Sequence, residues 1–143
     1  MKINIDYRFT SNPWGGGNQF LKALRRQLIN RKIYAKKIDK AKVVIVNSHH
    51  FSMNFFLVYL KNKNLKVIHR IDGPLYLTRG KKYKYIDQLI HLFSKYFSHG
   101  VIFQSNWSKK KNLKLGFDPK IFNTVINNAP DDKIFYDEKK KIT

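Results

Sequence analysis

The 143-residue chain contains no cysteine, which excludes disulfide bridges and thiolate metal sites. Acidic residues are scarce: 9 aspartates and glutamates stand against 29 lysines and arginines, a net charge of +20. Long hydrophobic runs are also missing. The longest, Phe55 to Leu60, is far short of the roughly 20 residues that a membrane-spanning helix needs. Met1-Lys2-Ile3-Asn4 opens directly into a strand pattern, so no signal peptide is predicted and a cytoplasmic location is expected. There is no internal repeat and no low-complexity segment.

What is present argues for a packed domain. Hydrophobic residues make up 43% and aromatics 15%, too much for a disordered chain. A chain of this length buries roughly 70% of its unfolded surface, enough for one core. The charge is unevenly placed. Asp131, Asp132, Asp137 and Glu138 balance four lysines in the last 13 residues, so residues 1–130 carry the whole +20. A field of that size attracts nucleic acid, anionic lipid or nucleotides. The abundance of lysine and asparagine is equally the mark of an A/T-rich genome.

Strand and helix patterns alternate. Lys2 to Asp6, Ile33 to Ile38, Lys42 to Asn47, Leu65 to Ile71, Val101 to Gln104 and Phe122 to Asn127 read as strands. Asn18 to Asn30, Ser52 to Leu60, Lys84 to Tyr96 and Ser105 to Leu115 read as helices, with Ser52 placed to cap the second. The fold class is therefore α/β. A doubly wound, mostly parallel Rossmann-like sheet of about six strands is expected, with helices on both faces. Residues 1–130 form the domain, and 131–143 read as a linker or tail. Ligands of such sheets sit at the carboxyl ends of the strands. The first loop, His49-His50, His69 to Gly73 and Gln104-Ser105 should meet there.

Gly15-Gly16-Gly17 lies between the first strand and an amphipathic helix. Glycines allow close backbone approach, and a helix start presents unpaired N–H groups and a positive dipole end. A phosphorylated ligand suits this arrangement; a plain surface turn is the alternative. The G-x-G-x-x-G spacing of a dinucleotide site is absent, although Asp39 stands 22 residues after Gly17. His69-Arg70-Ile71-Asp72-Gly73-Pro74 ends a strand with an imidazole and a carboxylate, which can bind vicinal hydroxyls and exchange protons. The competing reading makes His69 a core residue and Asp72 a turn cap. His49 and His50 are adjacent, so as strand neighbours they would point to opposite faces and share no metal.

Together these segments resemble a family. Trp14-Gly15-Gly16-Gly17-Asn18-Gln19-Phe20-Leu21 resembles the glycine-rich loop of family 4 glycosyltransferases, which have the two-domain GT-B fold. Val67 to Pro74 with Arg79-Gly80 and Asp87, Val101 to Lys109, and Val125 to Asp131 with Phe135 resemble later motifs of its N-terminal domain, in order. Ala129 replaces the usual glycine of the closing motif.

The resemblance implies a retaining transfer of sugar from a nucleotide-sugar donor to a glycan or lipid-linked acceptor, with no metal or other cofactor. It implies that Gly15, Gly16 and Gly17 approach the donor diphosphate, and that His69 lies against the transferred sugar. Asp72 joins His69 as a catalytic candidate, while Arg70, Arg79 and Ser105 are candidates for the acceptor. It also implies that the donor-binding second domain lies outside this sequence, as further chain or as a second protein. The isolated chain is then expected to be inactive. An anionic membrane surface is an expected partner. The rival class is a non-catalytic basic module for polyanions, but no nucleic-acid motif supports it.

Overall fold

A computed structural model describes residues 1–11 and 15–128. Trp14, the closing motif from Ala129 and the tail lie outside the described residues. Five parallel strands form one sheet in the order β1 (Ile3–Asp6), β2 (Val43–Asn47), β3 (Lys66–Ile71), β4 (Gly100–Phe103) and β5 (Asn123–Val125). The helices are α1 (Gly16–Asn30), α2 (Met53–Lys61), α3 (Leu75–Arg79), α4 (Lys84–Phe97) and α5 (Asn106–Lys114). This is the doubly wound Rossmann-like architecture that the alternation predicts.

The expected strand over Ile33 to Ile38 is reduced to a single parallel bridge between Tyr34 and Ile3. Ile3 N donates to Ile33 O and Ala35 N to Ile3 O, both at 2.8 Å. The chain then turns into a 3-10 helix, Ile38–Lys40, that contains Asp39. The bridge lies on the edge of β1 away from β2, so the winding reverses at β1. Right-handed crossovers in the two directions place α1 on one face and α2 and α4 on the other.

Alternation along the strands sorts the side chains. Val44 pairs with Val67 and Val46 with His69, so all four share a face. That face packs against Phe55 of α2 and Phe93 of α4. Ile71, Val101 and Phe103 continue it toward Ile90 and Phe117. Ile5 and Ile45 point the other way, against Leu21 and Leu28 of α1. Arg70, one residue from His69, also points to the α1 side, with its guanidinium 4.8 Å from the centre of the Phe20 ring.

Short side-chain caps start the helices. Ser52 Oγ accepts from Phe55 N at 3.0 Å, and Ser105 Oγ accepts from Ser108 N at 3.0 Å. Helix α3 lies where Gly73-Pro74 predicts only a turn. Its first amides, Leu75 N and Tyr76 N, donate to the two carboxylate oxygens of Asp87 at 2.8 and 3.0 Å. Asp87 is buried in α4, so a residue distant in sequence supplies the cap.

Candidate functional site

The carboxyl ends of β2 to β4 bring Asn47, Ser48, Arg70, Asp72 and Gln104 together beneath the start of α1. Arg70 is 2% exposed, and a buried guanidinium must have its donors met. Its Nη1 donates to Asp72 Oδ1 at 2.6 Å and to Asn47 Oδ1. Its Nη2 donates to Asn128 Oδ1 at 2.9 Å and Gln104 Oε1 at 3.3 Å. Arg70 therefore ties the ends of β2, β3 and β4 to the segment after β5.

Asp72 is the acid at this edge, with 30% of its side chain exposed. Besides Arg70 it accepts from Ser48 Oγ at 3.1 Å and Asn47 Nδ2 at 3.3 Å. Its carbonyl is gripped from α5, by Ser108 Oγ at 2.8 Å and Asn112 Nδ2 at 3.2 Å. The next residue, Gly73, is closely covered. A Cβ there would stand 2.5 Å from Cζ3 of Trp107, whose indole lies over the glycine.

Ser48 is the hinge of the cluster. It is buried, and its φ of 47° lies in the left-handed region, disfavoured for a side-chain-bearing residue. Three bonds hold it there. Its N–H donates to Arg70 O at 2.7 Å, its hydroxyl meets Asp72, and its carbonyl accepts from His69 Nε2 at 2.8 Å.

His69 is fully buried beneath the sheet, with Phe93 and Phe51 ring centres 4.9 and 5.9 Å away. Burial pushes its pKa down to about 4. The imidazole is then neutral, and the Ser48 carbonyl can only accept, so the proton sits on Nε2. Nδ1 accepts from Ser94 Oγ at 2.8 Å. Both ring nitrogens are thus engaged within the protein. His69 reaches the sheet edge through Ser48, not through solvent.

Above the cluster stands the start of α1. A Cβ on Gly17 would lie 3.6 Å from Asp72 Oδ2 and 3.8 Å from Arg70 Nη1. Gly16 faces open space, and so does Gly15, which has a φ of 73°. Among the described residues the helix has no side-chain cap, and its first turn holds no acid. Glycines that read as a loop are thus partly helix, and Gly16 and Gly17 form its first turn. Asn18, buried behind them, bonds the Thr10 backbone through both amide atoms at 3.4 Å.

Other expected residues lie further out. Arg79 is exposed at the end of α3, with its guanidinium 5.9 Å from the Tyr83 ring centre. Ser105 is spent on the α5 cap. Tyr7, at the end of β1, feels the cluster: burial and the Asp72 charge raise its pKa while Arg70 opposes. The His49 and His50 rings do not point apart; their centres are 4.4 Å from one another. The pair follows the left-handed Ser48 in a turn, where strand alternation no longer applies. Burial lowers the pKa of both, and the His50 and Arg79 charges lower that of His49 further. A cleft of about 640 Å³ lies away from this cluster, between β1 and α2 beside Lys36 and Lys61.

Sequence reasoning found Arg70 and Asp72 but missed Asn47 and Ser48. Asn47 closes an apolar strand, and a polar residue at a parallel strand's carboxyl end was the available signal. No protein-family model, curated protein or solved structure matches the chain. What stands without such a match is a Rossmann-like α/β domain with a polar, glycine-capped sheet edge.

Proposed function

We propose that this domain is the acceptor-side half of a retaining, nucleotide-sugar-dependent glycosyltransferase of the family 4 type, acting in glycan or glycolipid synthesis. The observation that carries the reading is the open, uncapped glycine start of α1 directly over the Asp72–Arg70 cluster. Amides of Gly15, Gly16 and Gly17 suit a diphosphate, because the helix dipole adds to their hydrogen bonds. Asp72 accepts a hydroxyl of the sugar or acceptor, and exposed Arg79 meets an acceptor phosphate. Ser105 stands at the adjacent strand end. Arg70 and His69 act as positioning residues: Arg70 fixes the Asp72 carboxylate, and His69 fixes Ser48 beneath it.

In this reading a second domain supplies the donor nucleotide site. The chain alone should transfer no sugar. It should still hold the phosphate moiety weakly. Titrating ¹⁵N-labelled protein with inorganic pyrophosphate and with a nucleoside diphosphate should shift the Gly15 to Gly17 amides first. Shifts confined to lysine-rich surfaces, with those glycines unmoved, would overturn the assignment. The net charge of +20 favours a second reading, a non-catalytic module for polyanions. That reading predicts tight, salt-sensitive binding of single-stranded nucleic acid with no response at the glycines.

A further inference from the structure

Helices α2 and α4 lie side by side on one face of the sheet. Phe56 and Tyr59 of α2 each stand 5.5 Å, centre to centre, from Phe97 of α4. Their inner faces supply the core. Their outer faces are also apolar, which a surface helix does not need. On α2, Met53, Leu57 and Leu60 recur at helical spacing and are 74%, 53% and 64% exposed. On α4, Tyr85, Leu89, Leu92 and Tyr96 do the same, the last at 67%. Two such stripes on neighbouring helices are more than the scattered exposed leucines of an ordinary surface.

The charges around them are mostly basic. Lys61 ends α2; Lys81, Lys82 and Lys84 precede or begin α4, and Lys95 lies near its end. α2 contains no acidic residue, and the sole acid of α4, Asp87, is 3% exposed and turned inward. Among the described residues, Asp118 lies 4.0 Å from Lys95, and Asp39 shares a cleft with Lys61 in which Lys36 and Lys37 outweigh it. A second copy of this face would be repelled by the first. No helix among the described residues is long and apolar enough to cross a membrane. Apolar and tyrosine side chains ringed by lysine suit the headgroup layer of an anionic bilayer, where ring and aliphatic groups enter and ammonium groups meet lipid phosphates.

We infer that the outer face of α2 and α4 is a docking surface for an anionic membrane, fixing which side of the domain faces the lipid. The inference does not depend on the glycosyl-transfer reading. A chain without cysteine offers a clean test. Leu89→Cys and, as control, Gln27→Cys on the exposed part of α1 are labelled with an environment-sensitive dye. They are mixed with vesicles of neutral phosphatidylcholine alone or with one third phosphatidylglycerol. The dye at position 89 should brighten and blue-shift on the anionic vesicles only, while that at 27 stays unchanged.

Vesicle co-sedimentation of the full chain supplies the second arm. Lys61→Gln with Lys84→Gln should weaken partitioning by about 10-fold or more, since each basic group near such a surface contributes about 1 kcal/mol. Lys22→Gln with Arg31→Gln, an equal charge loss on α1 and the residue that caps its C-terminus, should weaken it less than about 3-fold. Circular dichroism confirms that each variant is folded. Equal losses from both pairs, a response at 27 matching that at 89, or equal binding to neutral vesicles would overturn the inference. So would absence of binding to either vesicle, which leaves the face to an acidic protein surface instead.

Discussion

Replacing His69 by alanine tests whether this residue holds the fold or performs chemistry. The structure gives the magnitude. The ring is completely buried between Phe93 and Phe51, and removing an aromatic ring from a core costs about 3 kcal/mol or more. The Ser48 carbonyl also loses its 2.8 Å donor, a further ~1–3 kcal/mol if nothing replaces it. Ser94 suffers less, because its hydroxyl still reaches Ile90 O at 3.0 Å. Urea unfolding followed by circular dichroism should therefore show a loss of about 4 kcal/mol.

His69→Gln should lose less, since its amide can still donate to Ser48. The pH dependence adds an independent readout. The folded pKa of about 4 lies below the ordinary 6.5, so below pH 6.5 the unfolded chain binds a proton that the folded one refuses. The contribution is complete above pH 6.5 and is lost as pH falls toward 4, about 3 kcal/mol in all. His49, His50 and His99 titrate in the same direction, so the wild-type curve must be compared with that of His69→Gln. A His69→Ala protein within 1 kcal/mol of wild type, with an unchanged pH curve, would refute the structural role. Near-normal stability with lost turnover, measured in the two-domain enzyme proposed above, would return His69 to catalysis.

Two further substitutions probe the frame around the site. Gly73→Ala forces Trp107 aside, because the added Cβ would meet its ring at 2.5 Å. A cost of about 1–3 kcal/mol is expected, with a shift in tryptophan emission on going to the folded variant. Asp87→Ala strips both capping bonds from α3 and should lower stability by about 2 kcal/mol. Hydrogen exchange at Leu75 and Tyr76 should rise in that variant, well beyond the rise elsewhere in the sheet.

Much of the frame was legible because its signals are local. Val43 to Val46 could only be a buried strand, the Ile86, Ile90, Phe93 spacing fixed α4, and Ser52 and Ser105 stood where caps belong. The failures share a cause. The Tyr34 bridge is a single residue whose partner lies 31 positions earlier, and Lys36 and Lys37 gave no sign that pairing stops. Helix α3 is five residues long and depends on Asp87, which no local pattern links to it. His69 was ambiguous by type but not by position. Val67, His69 and Ile71 alternate onto one apolar face, and that periodicity already pointed into the core. Ser48 carries no sequence signal, since its left-handed turn is imposed by three bonds from other elements.

The strand order has a consequence for how the chain is made. Tyr34 adds to one edge of β1, β2 adds to the other, and each strand from β3 to β5 then pairs with the one before it. Among the described residues, no strand is inserted between two that are already paired. A ribosome releasing the chain from its N-terminus therefore exposes each new strand to a finished edge, and the sheet can lengthen in the order of translation. Rearrangement of earlier pairings, a common source of slow or aggregating intermediates in parallel sheets, is not required at any step.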